Sequence, residues 1–132
     1  MRAAALLPLF LAACAAPPRC PAGTEPAVIA TLAFGRNQGG ALRVTDADWA
    51  AFLAEEATPR FPSGLTTHDT QGQWRGADGV IAREPGKLLW LVIPNASPEE
   101  AAARTAPLVS AYRTRFGQES VLSSFARGCV SF

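Results

Sequence analysis

The chain's single histidine, His68, stands in the stretch Phe61 to Lys87, FPSGLTTHDTQGQWRGADGVIAREPGK, together with Trp74, Arg75, Arg83 and Glu84. An imidazole that titrates near neutral pH can exchange protons with a nearby carboxylate, so His68 and Glu84 are the acid/base pair this stretch offers. On a strand, alternate residues share a face. That sets His68, Thr70, Gly72 and Trp74 on one side and Thr67, Asp69, Gln71 and Gln73 on the other. Nothing in the sequence activates a nucleophile: there is no G-x-S-x-G turn, and a lone histidine on a sheet is ordinarily a solvent-facing residue. No catalytic residue is therefore assigned. One histidine and no cysteine cluster give no ground to expect a metal or a cofactor. The alternative to catalysis is binding, with Arg60, His68, Trp74, Glu84, Gln118 and Glu119 as the candidate lining of a pocket for a small polar ligand. The plainer outcome for Arg60, Arg75 and Glu84 is ion pairing with Glu119.

The elements that must position these residues can be read in order. Val28 to Phe34 (VIATLAF) is a short apolar run with β-branched residues and reads as a first, central strand. Gly35 to Gly40 (GRNQGG) reads as a surface turn, since it lacks the G-x-x-x-x-G-K-[ST] pattern of a phosphate loop. Thr45, with Asp48 three residues on, opens a helix whose apolar face is Trp49, Phe52 and Leu53, and Pro59 should end it. Thr58 to Pro62 then forms a stiff connection. Leu65 to Trp74 and Val80 to Ile93 read as a hairpin around Asp78-Gly79, with a bulge at Glu84-Pro85-Gly86. Leu88 to Ile93 (LLWLVI) is apolar throughout and should be buried on both faces, Trp90 included. Ser97-Pro98-Glu99-Glu100 opens a second helix with Thr105, Leu108, Val109, Tyr112 and Phe116 inward, and Gly117 ends it. Pro107 should kink or divide that helix. Glu119 to Phe132 supplies the last strand or pair of strands. The order β-α-β-β-α-β implies an α+β, ferredoxin-like fold, a four-stranded antiparallel sheet with two helices on one face.

The N-terminus speaks of location. MRAAALLPLFLAAC carries Arg2, then an apolar run to Leu11, then small residues before Cys14. The run is far shorter than the ~20 residues that span a bilayer, so it reads as an export signal rather than a transmembrane helix. Leu11-Ala12-Ala13-Cys14 resembles the lipobox of bacterial lipoproteins, which implies cleavage before Cys14 and its acylation. Several acyl chains anchor stably because each buried CH₂ contributes about 0.8 kcal/mol. Ala15 in place of an acidic residue resembles the sorting pattern of enteric bacteria that implies the outer membrane over the inner one. Residues 1–13 are then the signal peptide, 14–26 a Pro-rich tether and 27–132 one domain facing the periplasm. Without Arg2, Lys plus Arg balance Asp plus Glu at 11 each. A neutral domain has neither the basic footprint of a nucleic-acid binder nor a polybasic membrane patch. Cys20 and Cys129 flank the domain, and in an oxidising compartment such a pair reads as a disulfide in preference to two unrelated thiols.

Phe34-Gly35, Asp48-Trp49, Thr58-Pro59-Arg60-Phe61-Pro62, Gly72-Gln73-Trp74-Arg75, Arg83-Glu84-Pro85 and Phe116 to Val121 together resemble the bacterial family known as domain of unknown function 3574. The resemblance implies a small exported protein, often a lipoprotein, and brings no chemistry with it. Gly86, where Ser before Lys is more usual, and Pro107 depart from the family's pattern. The expected role is an envelope lipoprotein serving as a binding or accessory module, with homodimerisation through the sheet faces open to such a fold. The rival is a small enzyme using His68 and Glu84.

Overall fold

The computed structural model describes residues 19–75 and 77–132. Strand β1 (Glu25–Gly35) runs through the middle of the sheet and begins inside the stretch read as a tether. Two-residue strands β2 (Asn37–Gln38) and β3 (Ala41–Leu42) follow. Next come helix α1 (Asp46–Phe52), a π-helical turn (Leu53–Ala57) and α2 (Thr58–Arg60). The hairpin β4 (Thr66–Arg75) and β5 (Ile81–Pro94), helix α3 (Pro98–Phe116) and β6 (Leu122–Val130) complete the chain. The four long strands form one antiparallel sheet in the order β4-β5-β1-β6, and β2 pairs with β3 separately.

Both long helices start where local chemistry dictates. Thr45 and Asp48 exchange bonds as a capping box, as do Ser97 and Glu100, so orphan amides at each N-terminus are satisfied. Gly117 closes α3 in the left-handed conformation, φ +64°. The two prolines act differently from expectation. Pro59 does not stop the first helix, because the π turn before it shifts the hydrogen-bond register and Thr58 N–H already reaches back five residues to Leu53 O. Pro107 leaves α3 undivided. Its ring is on the exposed side, where the Ala103 carbonyl that loses an amide partner faces water.

The core lies between one sheet face and the helices. Val28, Ala30, Leu32 and Phe34 of β1 and Leu89, Leu91 and Ile93 of β5 meet Phe52, Leu108, Tyr112 and Phe116. Phe34 sits at the centre of an aromatic cluster, its ring centroid 4.7 Å from Tyr112 and 5.2 Å from Trp49. The indole N–H of Trp49, buried there, finds no acceptor among the described residues.

Among the described residues the other sheet face is uncovered, which corrects the reading of Leu88 to Ile93. β5 is an interior strand, yet only alternate residues are enclosed, and Trp90 on the open face is 39% exposed. Continuous apolarity marked an interior position in the sheet, not two covered faces. The bulge at Glu84-Pro85-Gly86 is also absent: β4 and β5 pair without interruption through Gly72↔Glu84, Gln71↔Pro85 and Thr70↔Gly86. Pro85 is tolerated because β1 ends opposite Gly86, so on that side no ladder amide is needed, while Pro85 O still accepts from Arg36 N at 3.1 Å.

A buried cation ties the layers together. Lys87 Nζ lies 2.7 Å from Asp46 Oδ1 and also bonds Asp69, while the Arg36 guanidinium reaches Asp46 Oδ1 at 3.1 Å. These bonds, that to Asp46 first, hold the Lys87 ammonium above its usual range. The Lys87 bond, then Arg36, hold the Asp46 carboxyl below its own. Asp46 of α1 is thereby held to Lys87 of β5 and to Arg36, the residue after β1, while Lys87 also holds Asp69 of β4.

Cys20 and Cys129 are joined, Cα to Cα 5.5 Å, where β1 and β6 pair at Pro26↔Cys129. The bridge fastens the edge strand to the start of the domain. Cys14 lies outside the described residues. Among the described residues no helix is long and apolar enough to cross a membrane.

Candidate functional site

The site forms where β1 runs out. After Gly35 the chain leaves the sheet and turns back on itself through β2 and β3, with Gly39 and Gly40 at positive φ between them. The C-terminal end of α3 arrives beside this turn, and the far end of the β4–β5 hairpin stands opposite. Between them is a cavity of about 700 Å³, within the size range of small-molecule sites.

Glu84 enters it from β5. Its Oε1 accepts the Asn37 backbone N–H at 3.2 Å. The approach depends on Gly35: a Cβ there would stand 2.8 Å from that oxygen. The glycine is needed for closeness rather than for an unusual φ. Gln118, one residue beyond the helix cap, donates from Nε2 to Asn37 O at 3.0 Å, and Gln38 donates from Nε2 to Gly117 O at 3.2 Å. These two amides cross between the turn and the helix end and fix one against the other. Beneath them the Tyr112 hydroxyl donates to Gly35 O at 2.8 Å. Burial, opposed by Arg36 and reinforced by Glu84, pushes that phenol up to about 12, so it stays a neutral donor. Trp74 and Ala82, a cross-strand pair near the hairpin tip, make the opposite wall, and the indole is 61% exposed.

Of the residues expected from sequence, Trp74, Glu84, Gln118 and Glu119 all line this cavity. Arg60 and His68 do not. Arg60 turns back onto its own helix and bonds Glu56 Oε2 at 2.6 Å, a consequence of the first helix continuing through Pro59. His68 is exposed on β4 opposite Leu88, four positions along the strand from Gly72, which faces Glu84. Period-2 alternation keeps His68 and Glu84 on one sheet face, but four residues separate them by roughly 13 Å. They do not converge. The expected network around Glu119 is not formed either: among the described residues neither Glu84 nor Glu119 takes part in an ion pair. No group of three or more His, Cys, Asp or Glu side chains there is arranged to hold a metal.

Asn37 and Gln38 escape a reading of sequence alone, because GRNQGG lacks the phosphate-loop pattern and has the composition of a surface turn. The turn is real, but it is also a wall. The usable signal was two amides beside paired glycines, directly after the central strand and at the same sheet end as Gln118.

No curated protein sequence matches the chain. Solved structures with a similar fold include a phage SAM lyase in complex with S-methyl-5'-thioadenosine. It has a TM-score of 0.60 at 16% identity, over 89% of this chain and 97% of that one. The phage SAM lyase in its apo state gives 0.58 with the same identity and coverage. CutA from Synechococcus elongatus complexed with Bis-Tris gives 0.48 at 11% identity, over 82% of this chain and 87% of that one. At such identities the likeness is one of fold. The family model described as "Protein of unknown function (DUF3574)" matches residues 30–132, and the chain belongs to that family.

Proposed function

We propose that the protein is a lipid-anchored module of the bacterial envelope whose single domain binds a small polar ligand at the end of its central strand. The observation that carries the binding role is the convergence of Trp74, Glu84, Gln118 and Glu119 on one cavity whose walls are pinned by hydrogen bonds. A wall built this way is organised before any ligand arrives, which reduces the ordering cost of binding. Support for the anchor comes from the apolar leader and Leu11-Ala12-Ala13-Cys14. The Cys20–Cys129 pairing suits an oxidising compartment. We read the topology as ferredoxin-like: counting the long strands alone, the sheet runs second, third, first, fourth, antiparallel throughout, with a helix after the first and third. The enzyme reading built on His68 and Glu84 lacks support, since the cavity takes in the carboxylate without the imidazole.

The ligand role is tested by screening small polar compounds for thermal stabilisation of the full chain and of Gly35→Ala. The added methyl displaces the flexible end of Glu84 while leaving its charge in place. Hits at this cavity should stabilise the parent by several degrees and lose at least about tenfold in affinity in Gly35→Ala. Hits unaffected by Gly35→Ala would place binding elsewhere. For the anchor, Cys14→Ser should move the protein from the membrane to the soluble fraction, and unchanged membrane association would count against acylation.

A further inference from the structure

If the cavity is a ligand site, as proposed above, its chemistry says which charge it accepts. We infer that it takes a small organic cation of the alkylammonium class. Three features of the lining point the same way. The carboxylates of Glu84 and Glu119 have no cationic partner among the described residues, and each borders the cavity. Among the described residues Arg83 is the one cation in the lining, and strand alternation sends its side chain to the opposite face of β5 from Glu84. The α3 helix also ends at the cavity rim, so the negative end of a 19-residue helix dipole adds to the two carboxylates.

The second feature is the direction of the hydrogen bonds. Gln38 and Gln118 each give an amide N–H to a backbone carbonyl, and the Asn37 N–H is given to Glu84. One N–H of each glutamine amide and the Asn37 backbone N–H are therefore used within the wall. Against the one N–H left on each glutamine amide stand more numerous acceptors: the second Glu84 oxygen, the Glu119 carboxylate and the amide carbonyls of Gln38 and Gln118.

The third is the apolar part of the lining. Ala33, Ala82 and Leu122 give small hydrophobic patches suited to alkyl groups, and Trp74 presents an exposed indole. Indole is the best of the aromatic rings for attracting a cation through its face, and rings with carboxylates are a recurring way to hold alkylated ammonium ions.

The test uses the full chain, titrated with choline, putrescine, the neutral carbon isostere 3,3-dimethylbutan-1-ol and the anion 3,3-dimethylbutanoate, followed by tryptophan fluorescence and calorimetry. At least one of the two cations should bind at least about tenfold more tightly than the neutral and anionic analogues. Glu84→Gln and Trp74→Leu should each weaken that binding about tenfold. Thermal unfolding should be nearly unchanged in both, which separates loss of binding from loss of fold. The inference is overturned if the neutral or anionic analogue binds as well as the cations, or if neither cation binds. If neither cation binds, a neutral or anionic screening hit that is sensitive to Gly35→Ala would retain the cavity as a ligand site and discard the cation, and the absence of any Gly35→Ala-sensitive hit would discard both.

Discussion

Cys129→Ala is expected to lower the free energy of unfolding by about 4 to 5 kcal/mol, and the parent protein under reductant should fall by the same amount. The bridge to Cys20 spans 109 residues of sequence, nearly the whole domain, so in the unfolded chain it forbids a large share of the accessible conformations. Its position adds to this. Pro26, paired with Cys129, is one pair in from the Glu25↔Val130 end of the β1–β6 ladder, and β6 is an edge strand held on one side only. Freed of the bridge, β6 can fray from its C-terminal end without first breaking the core. Small domains typically have only about 5 to 15 kcal/mol of stability, so the change removes a large part of it. Urea unfolding of the parent, Cys129→Ala and Cys20→Ala with Cys129→Ala measures it. The double variant should be no less stable than the single one, since either change alone removes the crosslink. A loss below about 1 kcal/mol in both variants and in the reduced parent would mean that the bridge contributes little.

How much was legible in the sequence depended on how far each signal reaches. The helix starts at Thr45 and Ser97 and the stop at Gly117 were readable because capping is decided within four residues. The α+β class, four antiparallel strands with helices between them, was reachable because the apolar runs, the hairpin turn and the helix caps are each local signals. The errors came where a local pattern met a condition set elsewhere. Pro59 is a helix stop only if the register before it is α, and the π turn removes that condition. Glu84-Pro85-Gly86 looks like a bulge until it is known that β1 ends beside it. Leu88 to Ile93 looks doubly buried because an apolar run carries no sign of which face the helices cover. The Lys87 knot, drawing on Arg36, Asp46 and Asp69, was invisible for the same reason, as its members lie on four separate segments. Within the site, Trp74, Glu84, Gln118 and Glu119 were found by being polar or aromatic near one sheet end, whereas Arg60 was lost through the mistaken helix end.

Phe34→Ala should cost about 3 to 5 kcal/mol in unfolding free energy, the usual range for emptying a buried aromatic position. Phe34 is 1% exposed, and its ring stands 4.7 Å from Tyr112, 5.2 Å from Trp49 and 6.1 Å from Phe52, so the cavity left behind borders three large rings that cannot all close in. Phe34→Leu, which keeps most of the volume, should cost clearly less. His68→Ala, at an exposed edge position, should stay within about 0.5 kcal/mol of the parent. The consequence for the site is specific. Phe34 and Tyr112 pack together, and the Tyr112 hydroxyl holds Gly35 O, the last carbonyl before the turn that carries Asn37. Loosening Tyr112 therefore loosens the peptide next to the one whose Asn37 N–H holds the Glu84 carboxylate. Phe34→Ala should weaken a ligand that fills the cavity at temperatures well below its own melting point, while His68→Ala leaves that affinity unchanged. Equal affinity in folded Phe34→Ala and parent would show that the turn holds its shape without the aromatic cluster, and the amide bonds of Gln38 and Gln118 would then be sufficient to set the wall.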